Sequence, residues 1–410
     1  NSLLGGGYLH VIMIVLAVFA LLISLGGMKV VAYTDVIQVS VLIFGGLVTT
    51  YIALTIVAEK FGVGSDPIAG FRVLLSHAPE HFRMMIPKPT VSSSQLDINK
   101  YLTFPGLASY LAGIWIINLN YWGCNQYITQ RALGADLQTA RTGILFAGFL
   151  KLLMPVIVML PGIAAFVLYR HGYLPQLVGG KDGAYSAILT FLPSGLKGLS
   201  VAALTAAIVA SLAGKVNSIS TIFTLDIYQK YIKKEADQKK LVTTGRVAVL
   251  IATLLAILFT WTDVLGIGGV GGFTYIQKYT GFISPGVFAM FLLGMFWKRT
   301  TGAAAITGVI TGFVLSVLFN EFAPKLFGNH TWFYTAYANG TGGFEIPFHI
   351  CMGLSFLFTM LIMIAISLGG PKINPKSFNL DRSMFKLAPS SAILIVLTLV
   401  IISALYVRFW

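Results

Sequence analysis

Residues 115–131 read WIINLNYWGCNQYITQR, and three Asn, two Gln, a Thr and an Arg break up otherwise apolar sequence. Side-chain amides both donate and accept hydrogen bonds, and aromatic rings present flat apolar faces. That mixture suits a neutral polyhydroxylated ligand, whose hydroxyls bond the amides while its C–H face lies on a ring. At 3.6 residues per turn, a continuous helix puts Asn118, Tyr121, Trp122 and Asn125 on one face. Asn120 and Gln126 fit amide contacts between helices as well as ligand contacts.

Other polar groups stand alone in apolar surroundings, where each is a functional candidate by default. Lys151 sits inside AGFLKLLMP and Gln277 inside YIQKYTG. Asp35 opens an apolar run; it could cap a helix N-terminus or form an acidic step on a cation path. In the run 206–228, Ala207, Ala210 and Ser211 lie at helical spacing. Carbonyl and hydroxyl oxygens there could form part of an oxygen cage for a small cation, or the small residues could serve helix contact alone. One turn on, Lys215 is expected to be buried among apolar residues.

These groups need elements to hold them, and the composition says what those are. Of 410 residues, 56% are hydrophobic and 10% charged, against roughly a quarter charged in soluble domains. Apolar spans recur at about 8–27, 33–58, 105–129, 139–168, 198–226, 242–262, 280–297, 302–321, 346–368 and 391–409. They are too long and too uniformly apolar for barrel strands. The predicted fold class is an all-α polytopic membrane protein with about ten transmembrane helices.

The net charge of +14 follows the positive-inside pattern and gives no reason to expect nucleic acid. With the 26–33 turn on the cytoplasmic side, that side collects Lys29, Arg131, Arg141, the bases of 230–246, Lys298, Arg299 and the bases of 372–386. The other side collects acids, among them Glu59, Asp66, Glu80, Asp97, Asp182, Asp263, Glu321 and Glu345, and the long loops 59–104 and 169–197. The 59–104 segment is expected to form short helices. Cys124 and Cys351 fall within spans and are expected to be buried thiols. Asn329 and Asn339 open N-x-[ST] patterns. The Gly-rich run 266–281 lacks the flanking βαβ pattern of a nucleotide loop and reads as a hinge or a close helix contact. The chain opens on Asn and almost directly into a span, so it is expected to be incomplete at its N-terminus.

Taken together, WGCNQYITQR, AGFLKLLMP with PGIAAFV, SLAGKVNSISTIFTLDIY and YIQKYTGFISPGVFAMFLLGMFWKRT resemble the sodium:solute symporter family, and within it the sodium/sugar cotransporter branch. The resemblance implies a leucine-transporter-like fold of two inverted repeats around a midplane site, with 1–58 ending the first repeat, 105–298 forming the second and 299–410 adding C-terminal helices. It implies that Asn118, Tyr121, Trp122, Lys151 and Gln277 contact the sugar, with Tyr121 as the ring of an inner gate. It implies that Ala207 and Ser211 hold half of a sodium site, and that Asp35 lies on the sodium exit route. One departure stands out: the family's sugar cotransporters pair two hydroxyls where this chain has Ala210 and Ser211. Lys215, one turn later, could then replace the cation in a sodium-independent or proton-coupled transporter, or it could point to a cytoplasmic vestibule while sodium binds as usual.

The expected function is sodium-coupled symport of a neutral sugar of glucose or galactose type, in the plasma (inner) membrane of a bacterium. Its partners are sugar, sodium and the lipid bilayer; the sequence is silent on oligomeric state. Another small solute, a sugar sensor and a channel are the alternatives. No triad, phosphate loop or zinc spacing points to an enzyme.

Overall fold

The computed structural model describes residues 8–174, 183–261 and 272–410. Asp182, Asp263 and the first part of the Gly-rich run, 266–271, lie outside the described residues. The chain begins with α1 (Leu9–Leu25) and α2 (Gly27–Lys60), then α3 (Pro67–His77) and α4 (Gln95–Thr103). A broken span follows: α5 (Gly106–Ala108), a π turn, α6 (Ile114–Leu119) and a second π turn, Asn120–Cys124. Next come α7 (Gln126–Ala132), α8 (Leu137–Leu150), α9 (Leu160–Arg170) and α10 (Ala184–Leu189). The remainder is α11 (Ser194–Thr221), α12 (Gln238–Trp261), α13 (Gly272–Phe296), α14 (Gly302–Val317), α15 (Ala323–Phe327), α16 (Phe348–Leu368) and α17 (Pro389–Phe409). A two-residue hairpin, β1 (Tyr337–Ala338) with β2 (Phe344–Glu345), sits between α15 and α16.

Among the described residues, nine helical stretches are long and apolar enough to cross a membrane. The first expected span is present as the shorter apolar helix α1. The 59–104 segment does form short helices, α3 and α4. Three boundaries differ from expectation. The turn expected over 26–33 shrinks to Gly26 and Gly27, where Gly27 takes φ +79, a left-handed conformation that glycine adopts without a Cβ clash. The span expected from 280 begins at Gly272, which places Gln277 inside a helix. The span expected over 105–129 is not continuous, as described below.

Contacts divide the chain into two compact units. The first holds 1–82, 130–271 and 393–402; the second holds 83–129, 272–392 and 403–410. In the first, α2, α3, α9 and α10 share a core around Ala53, Val57, Leu74, Ala164, Leu168 and Ile188. In the second, Ala289 and Leu293 of α13, Ala304 of α14 and Met363 of α16 pack together. α14 shows how sequence selects its faces. Ala304, Gly308, Gly312 and Ser316 recur every fourth residue and are buried, while Ile306 and Ile310 are 66% and 59% exposed. Small residues let backbones approach, and the branched apolar residues turn outward toward lipid.

Prolines interrupt several spans, and each removes a backbone donor. Pro285 lies inside α13 and leaves the carbonyl of Gly281 without its usual partner. The hydroxyl of Ser316 on α14 donates to that carbonyl at 3.5 Å. Residues Pro155–Met159 form a π turn ahead of Pro161; in that register the freed carbonyl is Val156's, and the Thr50 hydroxyl on α2 donates to it at 2.8 Å. The carbonyl of Lys151, freed by Pro155, accepts instead from the Met154 N–H.

Neither cysteine is in a disulfide; Cys351 is buried and Cys124 partly so. Asn339 organises the hairpin turn. Its Oδ1 accepts from Thr341 N, Thr341 Oγ1 and Gly343 N, and its Nδ2 donates to Glu345 Oε1 at 2.9 Å.

A Cβ on Gly312 would collide with Gly286 Cα on α13. Gly312→Val should therefore destabilise the protein by about 1–3 kcal/mol, read as a lower thermal midpoint of the purified protein. Ile310→Val, on the outward face, should leave that midpoint nearly unchanged.

Candidate substrate and cation sites

The opening cluster sits where a helix loses its regular register. α6 carries Asn118, and the π turn Asn120–Cys124 carries Asn120, Tyr121 and Trp122. Asn125 follows with φ −91 and ψ 123, an extended conformation that ends the span. Its Oδ1 accepts from Tyr127 N at 3.0 Å, and its carbonyl accepts from the N–H groups of Ile128 and Thr129. Asn125 is thus the cap of α7 and does not share a helix face with Asn118. The expected face is corrected accordingly: a π turn adds a residue to the turn, and the break then removes Asn125.

Within the second unit, α13 packs against α6 and the π turn, so the helix bearing Gln277 lies against the segment bearing Asn118, Tyr121 and Trp122. Asn120 Nδ2 donates to Ser284 Oγ on α13 at 3.2 Å, and Ser284 in turn donates to the Thr280 carbonyl at 2.9 Å. Asn120 therefore serves an interhelical contact, one of its two expected readings. Asn118 is exposed, and its Nδ2 donates to the Ile114 carbonyl at 2.7 Å, which fixes the amide and leaves Oδ1 outward. The Tyr121 and Trp122 rings meet edge to face, 6.0 Å between centroids. Gln277 is half-buried in the second turn of α13.

The remaining candidates lie in the first unit. Lys151 is exposed, in the one-turn 3-10 segment Lys151–Leu153 that Pro155 imposes on the end of α8. Ala207, Ala210 and Ser211 lie mid-way along α11, which packs on α1 and α2. Ala207 and Ser211 are half-buried and Ala210 is buried. Ser218 and Thr221 turn their hydroxyls back to the carbonyls of Gly214 and Asn217. No such back-bond from Ser211 occurs among the described residues, so its hydroxyl is not committed to its own helix.

Two expectations fail here. Lys215 is exposed, not buried, because α11 turns that face away from its packing partners, and an exposed ammonium cannot stand in for an enclosed cation. Asp35 is not a helix cap: it lies about two turns inside α2, and both Nε and NH2 of Arg131 donate to its Oδ2, at 3.0 and 2.8 Å. Asp66 and Asp136 cap helices instead, accepting from the first N–H groups of α3 and α8.

Sequence reading passed over Ser284, Gln130, Ser218 and Thr221. Gln130 Nε2 donates to Thr221 Oγ1 at 3.1 Å, and Ser218 Oγ donates to Gln130 Oε1 at 3.2 Å, tying α7 to α11. The only signal in sequence was a hydroxyl-rich helix end, which is common without any such partner.

The profile of the sodium:solute symporter family matches residues 1–312. The chain belongs to the sodium:solute symporter family. It is 40% identical over 412 residues to a sodium/glucose cotransporter of Vibrio parahaemolyticus, covering 96% of this chain and 69% of that protein. It is 29% identical to sodium/glucose cotransporter 1 of Ovis aries, covering 90% and 56%, and 33% identical to sodium/myo-inositol cotransporter 2 of Rattus norvegicus, covering 74% and 46%. The chain thus spans about half the length of these mammalian relatives. Among solved structures, that of a Na+-coupled sialic acid symporter superposes with a TM-score of 0.68 at 18% identity, covering 89% of this chain and 68% of that one. The fold is therefore the leucine-transporter-like fold that the resemblance implied, in a multi-pass membrane protein. The family consists of transporters, not enzymes, and sodium coupling is its shared property.

The Asp35–Arg131 pair is three-quarters buried. Removing either partner leaves a charge poorly solvated, so Asp35→Ala and Arg131→Ala should each lower stability by roughly 1–3 kcal/mol. The double variant should cost less than the sum. Thermal melts of the four proteins form the cycle that checks this.

Proposed function

We propose that this chain carries out sodium-coupled symport of a neutral sugar of glucose or galactose type by alternating access, in the inner membrane of a bacterium. The observation that carries the reading is the 40% identity to a sodium/glucose cotransporter along nearly all of the chain. It is reinforced by the neutral donors, acceptors and rings of Asn118, Tyr121, Trp122 and Gln277 on irregular and neighbouring helix segments.

In this reading Asn118 and Gln277 bond sugar hydroxyls, Lys151 donates to another, and Tyr121 backed by Trp122 closes the inner side. A carboxylate substrate would need a fixed positive charge beside it, which Lys151 could supply, but the neutral neighbours of Lys151 favour a sugar. Sodium is cargo, held by the Ala207 carbonyl and the Ser211 hydroxyl, with Ala210 supplying no second hydroxyl and Asp35 lying along its exit. Residues 1–58 would close the first repeat, 105–298 form the second, and 299–410 add helices beyond it. The inverted-repeat fold supplies the rocking motion.

The energetics suffice for accumulation. A potential of 100 mV gives about 2.3 kcal/mol per charge, and a tenfold sodium gradient adds about 1.4 kcal/mol. One sodium per sugar could therefore concentrate a neutral substrate several hundredfold, with roughly 1.4 kcal/mol per factor of ten.

The test is uptake of labelled galactose, glucose and myo-inositol into proteoliposomes of the complete protein, under sodium, potassium or proton gradients. Accumulation of a sugar only with inward sodium is the expected result; equal uptake without sodium would refute the coupling. Tyr121→Ala and Gln277→Ala should each abolish uptake without loss of folded protein. Normal transport by both would remove these residues from the site.

A further inference from the structure

Outside the proposed transport residues, the first unit brings two histidines together at the ends of separate helices. His77 is the last residue of α3 and His171 caps the C-terminus of α9. His77 Nδ1 and His171 Nε2 are 3.2 Å apart, and both side chains are exposed. Their rings stand edge to face, 4.8 Å between centroids. The Phe61 ring, just past the end of α2, packs on both, at 4.7 and 5.0 Å, and also touches Tyr173. The imidazoles are thus held in place by an aromatic wedge.

Two ring nitrogens at 3.2 Å can share one proton. The separation also matches two ligands on one tetrahedral ion: Zn–N bonds of 2.0–2.1 Å place the nitrogens roughly 3.3 Å apart. We propose that His77 and His171 form a binding site for a transition-metal dication of the Zn2+ type, which ties the end of α3 to the end of α9. His77 binds through Nδ1 and His171 through Nε2, so each imidazole keeps its proton on the other nitrogen. The ion takes the place of the shared proton. Among the described residues no group of three or more His, Cys, Asp or Glu is placed to hold an ion, so water completes the shell and the site is open. Imidazole ligands select Zn2+, Ni2+ or Cu2+ over Mg2+ and Ca2+.

The surrounding charge permits this. Arg170 precedes His171, but its guanidinium is directed to Glu80, 3.9 Å away, and Glu80 also meets His81 at 3.2 Å. Glu80 thus offsets the neighbouring cation and is not itself drawn into the pair. Ligation requires unprotonated nitrogens, so affinity falls on acidification.

The experiment is calorimetric titration of Zn2+ into the complete protein, purified and stripped with chelator, with thermal melts alongside. Wild type should take up one Zn2+ and gain thermal stability, and Mg2+ should do neither. His77→Gln and His171→Gln should each weaken binding about tenfold or more, or about 1.4 kcal/mol, and His81→Gln should not. Zn2+ bound equally well by both single variants would overturn the proposal, as would Mg2+ bound as tightly as Zn2+. A wild type that takes up no Zn2+ overturns it without recourse to any variant.

Discussion

Lipid offers a backbone no hydrogen-bond partner, and the rest of this structure follows from that constraint. A regular helix satisfies it alone. A transporter needs irregular helices, and here the irregularities are supplied with donors from elsewhere. Pro285 frees the Gly281 carbonyl, and Ser316 answers it. Pro161 frees Val156, and Thr50 answers it. Pro155 frees Lys151, and a tightened 3-10 turn answers that. Two hydroxyls in the apolar spans, those of Thr50 and Ser316, thus stand opposite a missing N–H.

The same irregularities carry the candidate substrate residues. The amide and aromatic cluster occupies a π turn that breaks off at Asn125, and Lys151 occupies the 3-10 turn before a proline. A side chain in a regular span faces a neighbour or lipid at fixed intervals of 3.6 residues. A turn of different period re-aims it, and a partner on the adjacent helix, such as Ser284 for Asn120, then holds the new direction.

The architecture was legible because its cause is composition. Apolar runs of span length, flanked by bases on one side and acids on the other, leave few alternatives in a bilayer, and α11, α12, α14, α16 and α17 fall close to where hydropathy puts them. The candidate site was legible only as residue types. Reading Asn118 and Asn125 onto one face assumed a continuous 3.6-residue helix, and no local signal marked the π turn. Asp35 resembled a cap because it began an apolar run, but hydropathy does not see that the helix starts earlier, at Gly27. Lys215 looked buried because its neighbours in sequence are apolar; in a membrane helix such neighbours say nothing about which face meets protein. Pairings across long sequence separations, such as Arg131 with Asp35 or Gln130 with Thr221, depend on packing that one-dimensional spacing does not encode.

The two proline-freed carbonyls that a hydroxyl answers differ in the order of their partners along the chain. Thr50 precedes Val156, so during synthesis the donor is already in place when that carbonyl emerges. Ser316 follows Gly281, so α13 enters the bilayer with an unanswered carbonyl and stays so until α14 has been made. The close approach of Gly286 to Gly312 on the same two helices means that this debt is settled only by tight pairing. Biogenesis of this region is thus a helical-hairpin event: α13 and α14 gain from leaving the translocation channel together, and a pause between them would expose the most polar backbone of the pair to lipid.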